Sequence, residues 1–137
     1  MNTKKAVWIS KPEKIKATLH TLSYHSSEAH SVFFVIGEND EITLSCRSEA
    51  KTAFILLHTP DEYIVFGKEK IVMAFGGMRT EIPHEPFSSV HLQKEGSRLI
   101  FSSDGKEVLR IEKEAFSSSA SFGVASKGSG EVTIEVF

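Results

Sequence analysis

The chain has 137 residues, with 16 Lys and Arg against 18 Asp and Glu, a formal net charge of −2 when its six histidines are neutral. A balance this close to zero gives no reason to expect a polyanionic partner, and the basic stretch Lys4, Lys5, Lys11, Lys14 and Lys16 lacks the interleaved aromatic platform of a nucleic-acid binder. Cys46 is the one cysteine, which excludes an intrachain disulfide and any multi-cysteine metal site.

Leu, Ile, Val and Phe together number 39, enough to build one core, and the expected organisation is one domain over residues 1–137. No apolar run approaches the length of a membrane span, and Ala6-Val7-Trp8-Ile9 is too short for a secretory core segment. The expectation is a soluble, cytoplasmic protein with no membrane partner. Ile and Val number 21 against 8 Leu, a skew toward β-branched side chains that suit a pleated sheet.

Along the chain, Ser10-Lys11-Pro12-Glu13 fits a helix capping box, and Ile15, Leu19 and Leu22 share a helical face. Ile15, Ala17 and Leu19 alternate equally well, and a strand is preferred. The continuous run Val32-Phe33-Phe34-Val35-Ile36 ends at the turn Gly37-Glu38-Asn39-Asp40, and Ile42-Thr43-Leu44-Ser45-Cys46 alternates with 42, 44 and 46 on one face. Ala53-Phe54-Ile55-Leu56-Leu57, Tyr63-Ile64-Val65-Phe66 and Ile71-Val72-Met73-Ala74-Phe75 are further continuous runs, separated by Thr59-Pro60-Asp61-Glu62 and ended by Gly76-Gly77. Runs of this kind predict strands covered on both faces.

Asp104-Gly105 is a favoured type I′ hairpin pair, so Leu109 and Ile111 read as a strand leaving that turn, against a weaker helical match of Val108, Ile111 and Ala115. Ser117-Ser118-Ser119-Ala120-Ser121 and Lys127-Gly128-Ser129-Gly130 read as loops, and Val132, Ile134 and Val136 as the inward residues of a closing strand. Reversals every 8–12 residues are the spacing of an antiparallel sandwich. The expected fold is all-β, a two-sheet antiparallel β-sandwich.

From Ala53 onward, the order of features resembles the concanavalin A-like jelly-roll sandwiches, among them laminin-G-like domains and accessory modules of glycoside hydrolases. The pieces are the strand, turn and aromatic strand of residues 53–66, the hairpins of residues 90–109, and Phe122-Gly123-Val124-Ala125 followed by Gly130-Glu131-Val132-Thr133-Ile134. The likeness covers residues 53–137. It implies a non-catalytic carbohydrate-binding or interaction module, with a small sandwich glycosidase or lyase as the alternative and a protein-interaction or self-assembling domain, a homodimer for example, as the second.

The departures bear on function. The sandwich glycosidases of this class carry paired carboxylates on one strand, whereas Glu38, Asp40, Glu41, Asp61 and Glu62 fall at turns. The sequence therefore predicts no convergence of carboxylates in one pocket and no catalytic residue. The His-x-Asn-Pro-Arg and Trp-Gly-x-Glu signatures of galectins are absent, Trp8 being the one tryptophan.

His20, His25 and His30, spaced by five and joined by Glu28, suit neither one helix face nor one strand face, so a surface loop is the simpler account than a zinc site. Neither a metal nor a cofactor is expected. Cys46, in phase with Ile42 and Leu44, reads as a small buried hydrophobe rather than a nucleophile, and no Gly-x-Ser-x-Gly elbow is present. What remains is saccharide recognition on a sheet face by aromatic and polar side chains, for which His58, Tyr63, Arg79, His84 and His91 are the candidates.

Overall fold

A computed structural model describes residues 6–137; Lys4 and Lys5 of the basic stretch lie outside them. Fourteen strands follow one another: β1 (Ala6–Ser10), β2 (Ile15–Ala17), β3 (Thr21–Ser26), β4 (His30–Gly37), β5 (Glu41–Ser48), β6 (Lys51–Thr59), β7 (Glu62–Phe66), β8 (Lys70–Phe75), β9 (Met78–Pro83), β10 (Ser89–Glu95), β11 (Arg98–Ser103), β12 (Lys106–Glu112), β13 (Ser119–Lys127) and β14 (Gly130–Val136). One 3₁₀ turn, Glu114–Phe116, precedes β13. Two antiparallel seven-stranded sheets result, sheet A in the order β1-β4-β13-β6-β7-β8-β9 and sheet B in the order β12-β11-β10-β5-β14-β3-β2.

The core lies between the two sheets. Val32, Phe34, Leu56, Ile64, Phe122 and Val124 of sheet A meet Ile42, Leu44, Leu92, Phe101, Val132 and Ile134 of sheet B, all buried. Phe66, Phe101 and Phe122 interlock at centroid separations of 4.8–6.3 Å, in tilted and edge-on contacts that suit aromatic quadrupoles. Alternation therefore places Ile42 and Leu44, and Val132, Ile134 and Val136, inward as the sequence predicts.

The continuous runs behave differently from the expectation. A two-layer sandwich covers only one face of each sheet, so Val35 is 47% exposed and Ile55, Leu57 and Val65 are half-buried on the outer side of sheet A. The outer sides of those strands are therefore only partly covered, with Phe33 and Val72 buried there.

The turns follow their chemistry. Asp104 and Gly105 take φ of 51° and 78°, and Gly76 and Gly77 take 59° and 78°, the paired positive values that type I′ hairpins require. The segment 11–22 has no helix: Ile15 and Ala17 pair with Tyr24 and Leu22 as a short edge strand, and Leu19 is 65% exposed. Residues 106–112 form β12, as the hairpin implied. The serine tract is not wholly a loop, since β13 begins at Ser119 and its Ala120 is buried in phase with Phe122. The small size of Ala120 and the polar residues beside it hide that phase from a reading based on large apolar side chains.

Gly123 in β13 has a specific cause. A Cβ there would lie 1.8 Å from the Val32 carbonyl oxygen and 2.8 Å from the Phe33 Cα, both backbone atoms of the adjacent strand. Only glycine permits this approach of β13 to β4. Phe33, its register partner on the outer side, is 4% exposed.

Candidate functional site

The two outer faces present opposite chemistry. Register aligns Val35, Ser121, Leu57, Tyr63, Ala74 and Arg79 in one row across the outside of sheet A. The adjacent row is Phe33, Gly123, Ile55, Val65, Val72 and Glu81. Across sheet B the corresponding row is Thr43, His91 and Ser102, flanked by Ser45 and Ser89.

That polar row forms a concavity of about 430 Å³ closed by the Asp104-Gly105 turn and lined also by Ser103. Its geometry is held internally. Thr43 Oγ1 and His91 Nδ1 are 2.6 Å apart, His91 Nε2 lies 3.3 Å from a Glu41 carboxylate oxygen, the Ser45 hydroxyl donates to Ser89 Oγ at 3.1 Å, and the Ser103 hydroxyl donates to the Ser89 carbonyl at 2.7 Å. Such an array offers hydroxyl, imidazole and carboxylate groups to a ligand rich in hydroxyls. Ile100, two residues along β11 from Ser102 on the same face, adds an apolar surface.

The five residues singled out by sequence fall in different places. Tyr63 and Arg79 share the outer row of sheet A, separated by Ala74. His58 lies at a β6 irregularity, its ring edge-on to buried Phe116 at 5.6 Å and its Nε2 3.8 Å from Glu62. His84 stacks on Phe87 at 4.2 Å, and His91 stands on the opposite sheet. The fold therefore does not gather all five into one pocket.

Three glutamates do share a concavity. Glu13, Glu28 and Glu131 line a space of about 730 Å³ with His25, His30, Lys11 and Lys14. They come from three distant stretches of chain, so no local motif announces them. Glu131 Oε1 is 3.1 Å from His25 Nδ1, which ties it to a structural partner. Among the described residues, no group of three or more His, Cys, Asp or Glu side chains is placed to hold a metal ion.

His30 is not on a surface loop. It is 4% exposed on the inner side of β4, in phase with Val32, Phe34 and Ile36, a parity that the sequence does carry. Its Nδ1–H donates to the Ser10 carbonyl at 3.0 Å, while Nε2 is buried without a hydrogen-bond partner among the described residues. Beside it Tyr24 Oη and Ser126 Oγ are 2.7 Å apart, and the Ser26 hydroxyl donates to the Gly128 carbonyl at 2.8 Å. Burial pushes the Tyr24 phenol above its ordinary range, keeping it neutral.

At the end of the sandwich where β5 passes to β6, a cleft of about 550 Å³ opens between the sheets. Phe54, Phe66 and Phe87 line it together with Cys46, which keeps the phase of Ile42 and Leu44 but is half-buried at the rim of the core rather than buried as expected, because the strand leaves the sandwich there. Burial raises the Cys46 thiol, a Thr52 hydrogen bond opposing only part of the shift.

No protein-family model matches the chain and no curated protein matches its sequence. Solved structures do match its shape. The SPRY domain of human HERC1 aligns with a TM-score of 0.63 at 11% identity over 92% of this chain and 95% of that one. A functionally unknown protein from Saccharomyces cerevisiae aligns with a TM-score of 0.61 at 12% identity, over 96% of this chain and 95% of that one. A prokaryotic β-1,3-1,4-glucanase (lichenase) from a mouse hindgut metagenome aligns with a TM-score of 0.58 at 8% identity, over 99% and 92%. The fold is the concanavalin A-like jelly-roll sandwich.

Proposed function

We propose that the chain is a non-catalytic recognition module that binds a saccharide on the outer face of sheet B. The observation that carries this reading is the polar concavity in which Thr43, Ser89, His91, Ser102 and Asp104 converge on one sheet face. Hydroxyl and imidazole groups fixed by their own hydrogen bonds are pre-oriented to exchange donors and acceptors with sugar hydroxyls, while the His91 ring and Ile100 meet C–H surface. The lichenase, by its name, acts on a β-glucan, so the same architecture is compatible with a glycan ligand. The sequence candidates Tyr63 and Arg79 form the competing location on sheet A.

A glycan array followed by thermal-shift titration tests this. A saccharide hit should raise the melting temperature by mass action, and Thr43→Val with Ser102→Ala should abolish it while leaving the unliganded melting temperature nearly unchanged. Loss of the hit in Tyr63→Ala or Arg79→Ala instead would move the site to sheet A. The absence of any hit would overturn the saccharide reading.

A second reading, a protein-interaction or self-assembling domain, is favoured by the apolar outside of sheet A. Val35 is 47% exposed there, and Val7 and Ile9 on the neighbouring edge strand are 48% and 66% exposed. A solvent face of an antiparallel sheet is ordinarily polar, and apolar patches mark contact surfaces. Light scattering of the purified chain would show a dimer on this reading and a monomer if the face meets only a foreign partner.

A further inference from the structure

The cleft at the β5–β6 end has features that saccharide binding on sheet B does not use. Phe54 and Phe66 are register partners on β6 and β7, and Phe87 meets Phe66 edge-on at 5.6 Å, which makes the cleft wall aromatic. At about 550 Å³ it falls within the range of small-ligand sites, ~300–1,000 Å³.

Its margin is basic. Lys51 and Lys68 both line it, and among the described residues neither ammonium meets a carboxylate within ion-pair distance, whereas nearby Lys70 is paired with Glu81.

The cleft is also pre-formed. The β5–β6 turn that borders it is tied to β14, with the Glu49 N–H donating to the Glu131 carbonyl at 3.0 Å and the Glu131 N–H donating to Glu49 Oε1 at 2.9 Å. Gly130 packs so closely under this turn that a Cβ would lie 2.7 Å from the Glu49 Cβ. A turn fixed to β14 through Glu49 leaves less to be ordered on binding.

We propose that this cleft binds a small apolar monocarboxylate, its hydrocarbon or aryl body against Phe54, Phe66 and Phe87 and its carboxylate between Lys51 and Lys68. The aromatic wall selects the apolar body and the unpaired ammonium groups select the anionic head. Cys46 on the wall is a built-in reporter, because an occupant must stand between its thiol and solvent.

Calorimetric titration of the full chain with octanoate, and with octan-1-ol as the uncharged counterpart, tests both halves of the assignment. Iodoacetamide, an uncharged reagent, reads Cys46 in parallel. Octanoate should bind one per chain and slow alkylation of Cys46 severalfold. The double variant Lys51→Glu/Lys68→Glu should weaken octanoate by about tenfold while leaving the weaker octanol binding unchanged. Ala50→Trp, which fills the cleft, should abolish both, with a retained melting transition showing that the fold survives. No saturable binding with unchanged alkylation overturns the proposal, as does octanol binding as tightly as octanoate, or octanoate binding that persists after the charge reversal. The saccharide titration reads a different sheet face, so the two proposals fail independently.

Discussion

The outer face of sheet A and the outer face of sheet B are built from the same strand geometry and carry opposite surfaces. Sheet A shows water Val35, Ile55, Leu57, Tyr63, Val65 and Ala74, whereas sheet B shows it Thr43, Ser45, His91, Ser102 and Thr133. The difference is already present as two kinds of strand. The four long apolar runs, in β4, β6, β7 and β8, lie in sheet A, and the two alternations read in the sequence, in β5 and β14, lie in sheet B. An alternating strand declares which face is wet; a continuous run states only that the strand is apolar, and here no third layer packs on its second face.

The comparison can be broken most violently at Gly123. Gly123→Ala puts a Cβ onto the backbone of β4 at the centre of sheet A, and the expected loss is about 3 kcal/mol or more in urea denaturation. On sheet B, Thr133→Ala at an outer position should change stability by less than ~0.5 kcal/mol. Equal effects would refute the close approach of β13 and β4.

Lys94 sharpens the comparison from the inner side. It occupies an inward position of β10 in phase with Val90 and Leu92, and is fully buried, its ammonium donating to the Gly96 carbonyl at 2.7 Å and the Ser117 carbonyl at 3.3 Å. Lys94→Met keeps the volume but strands both carbonyls, so a loss of roughly 1–3 kcal/mol is expected in the same assay. A gain in stability would mean that desolvating the ammonium outweighs its two hydrogen bonds.

The outer apolar row gives a smaller effect. Val35→Thr with Leu57→Thr should leave the unfolding free energy within about 1 kcal/mol, because these side chains are only partly removed from water. The same variant should lower any self-association seen by light scattering. A large destabilisation would show that this face is covered within the chain itself.

The smallest expected effect is alkaline. Cys46 and Tyr24 both ionise above their ordinary ranges because burial disfavours the charged form. A folded-state value raised above the unfolded one gives stability that is complete below the unfolded value and fades as pH rises through the folded one. Melting temperature should therefore decline as pH climbs past the ordinary thiol range, and Cys46→Ala should flatten the first part of that decline. An unchanged profile would remove Cys46 as a contributor.

Legibility in the sequence followed the range of the cause. Asp104-Gly105 was readable because two adjacent residues must both take positive φ, and Ile42, Leu44 and Cys46 because a pleat alternates within one strand. His30 carried the same parity signal, obscured by its polar neighbours Ser26, Ser27 and Glu28. Tyr63 and Arg79 are joined by register across β8, but a strand-by-strand reading had no means of separating them from His58, His84 and His91, with which they were grouped. The sheet B concavity and the end cleft were not readable. Thr43, His91 and Ser102 meet only because β10 lies between β5 and β11, and Cys46, Phe66 and Phe87 meet only because two sheets stack.

The strand order also governs how the chain reaches this state. β13 lies between β4 and β6 in sheet A, and β14 lies between β5 and β3 in sheet B, so each sheet receives an interior strand that follows its neighbours in the chain. Until residues 119–136 are available, β4 and β6 have no common neighbour and neither do β3 and β5. Pairings this distant in sequence must wait for large loops to close, which places the molecule among slow, non-local folders. During synthesis β1 with β4, and β6 through β9, can pair among themselves, but these two blocks of sheet A stay unjoined until residues 119–127 emerge, and their facing edges are exposed to aggregation in that interval.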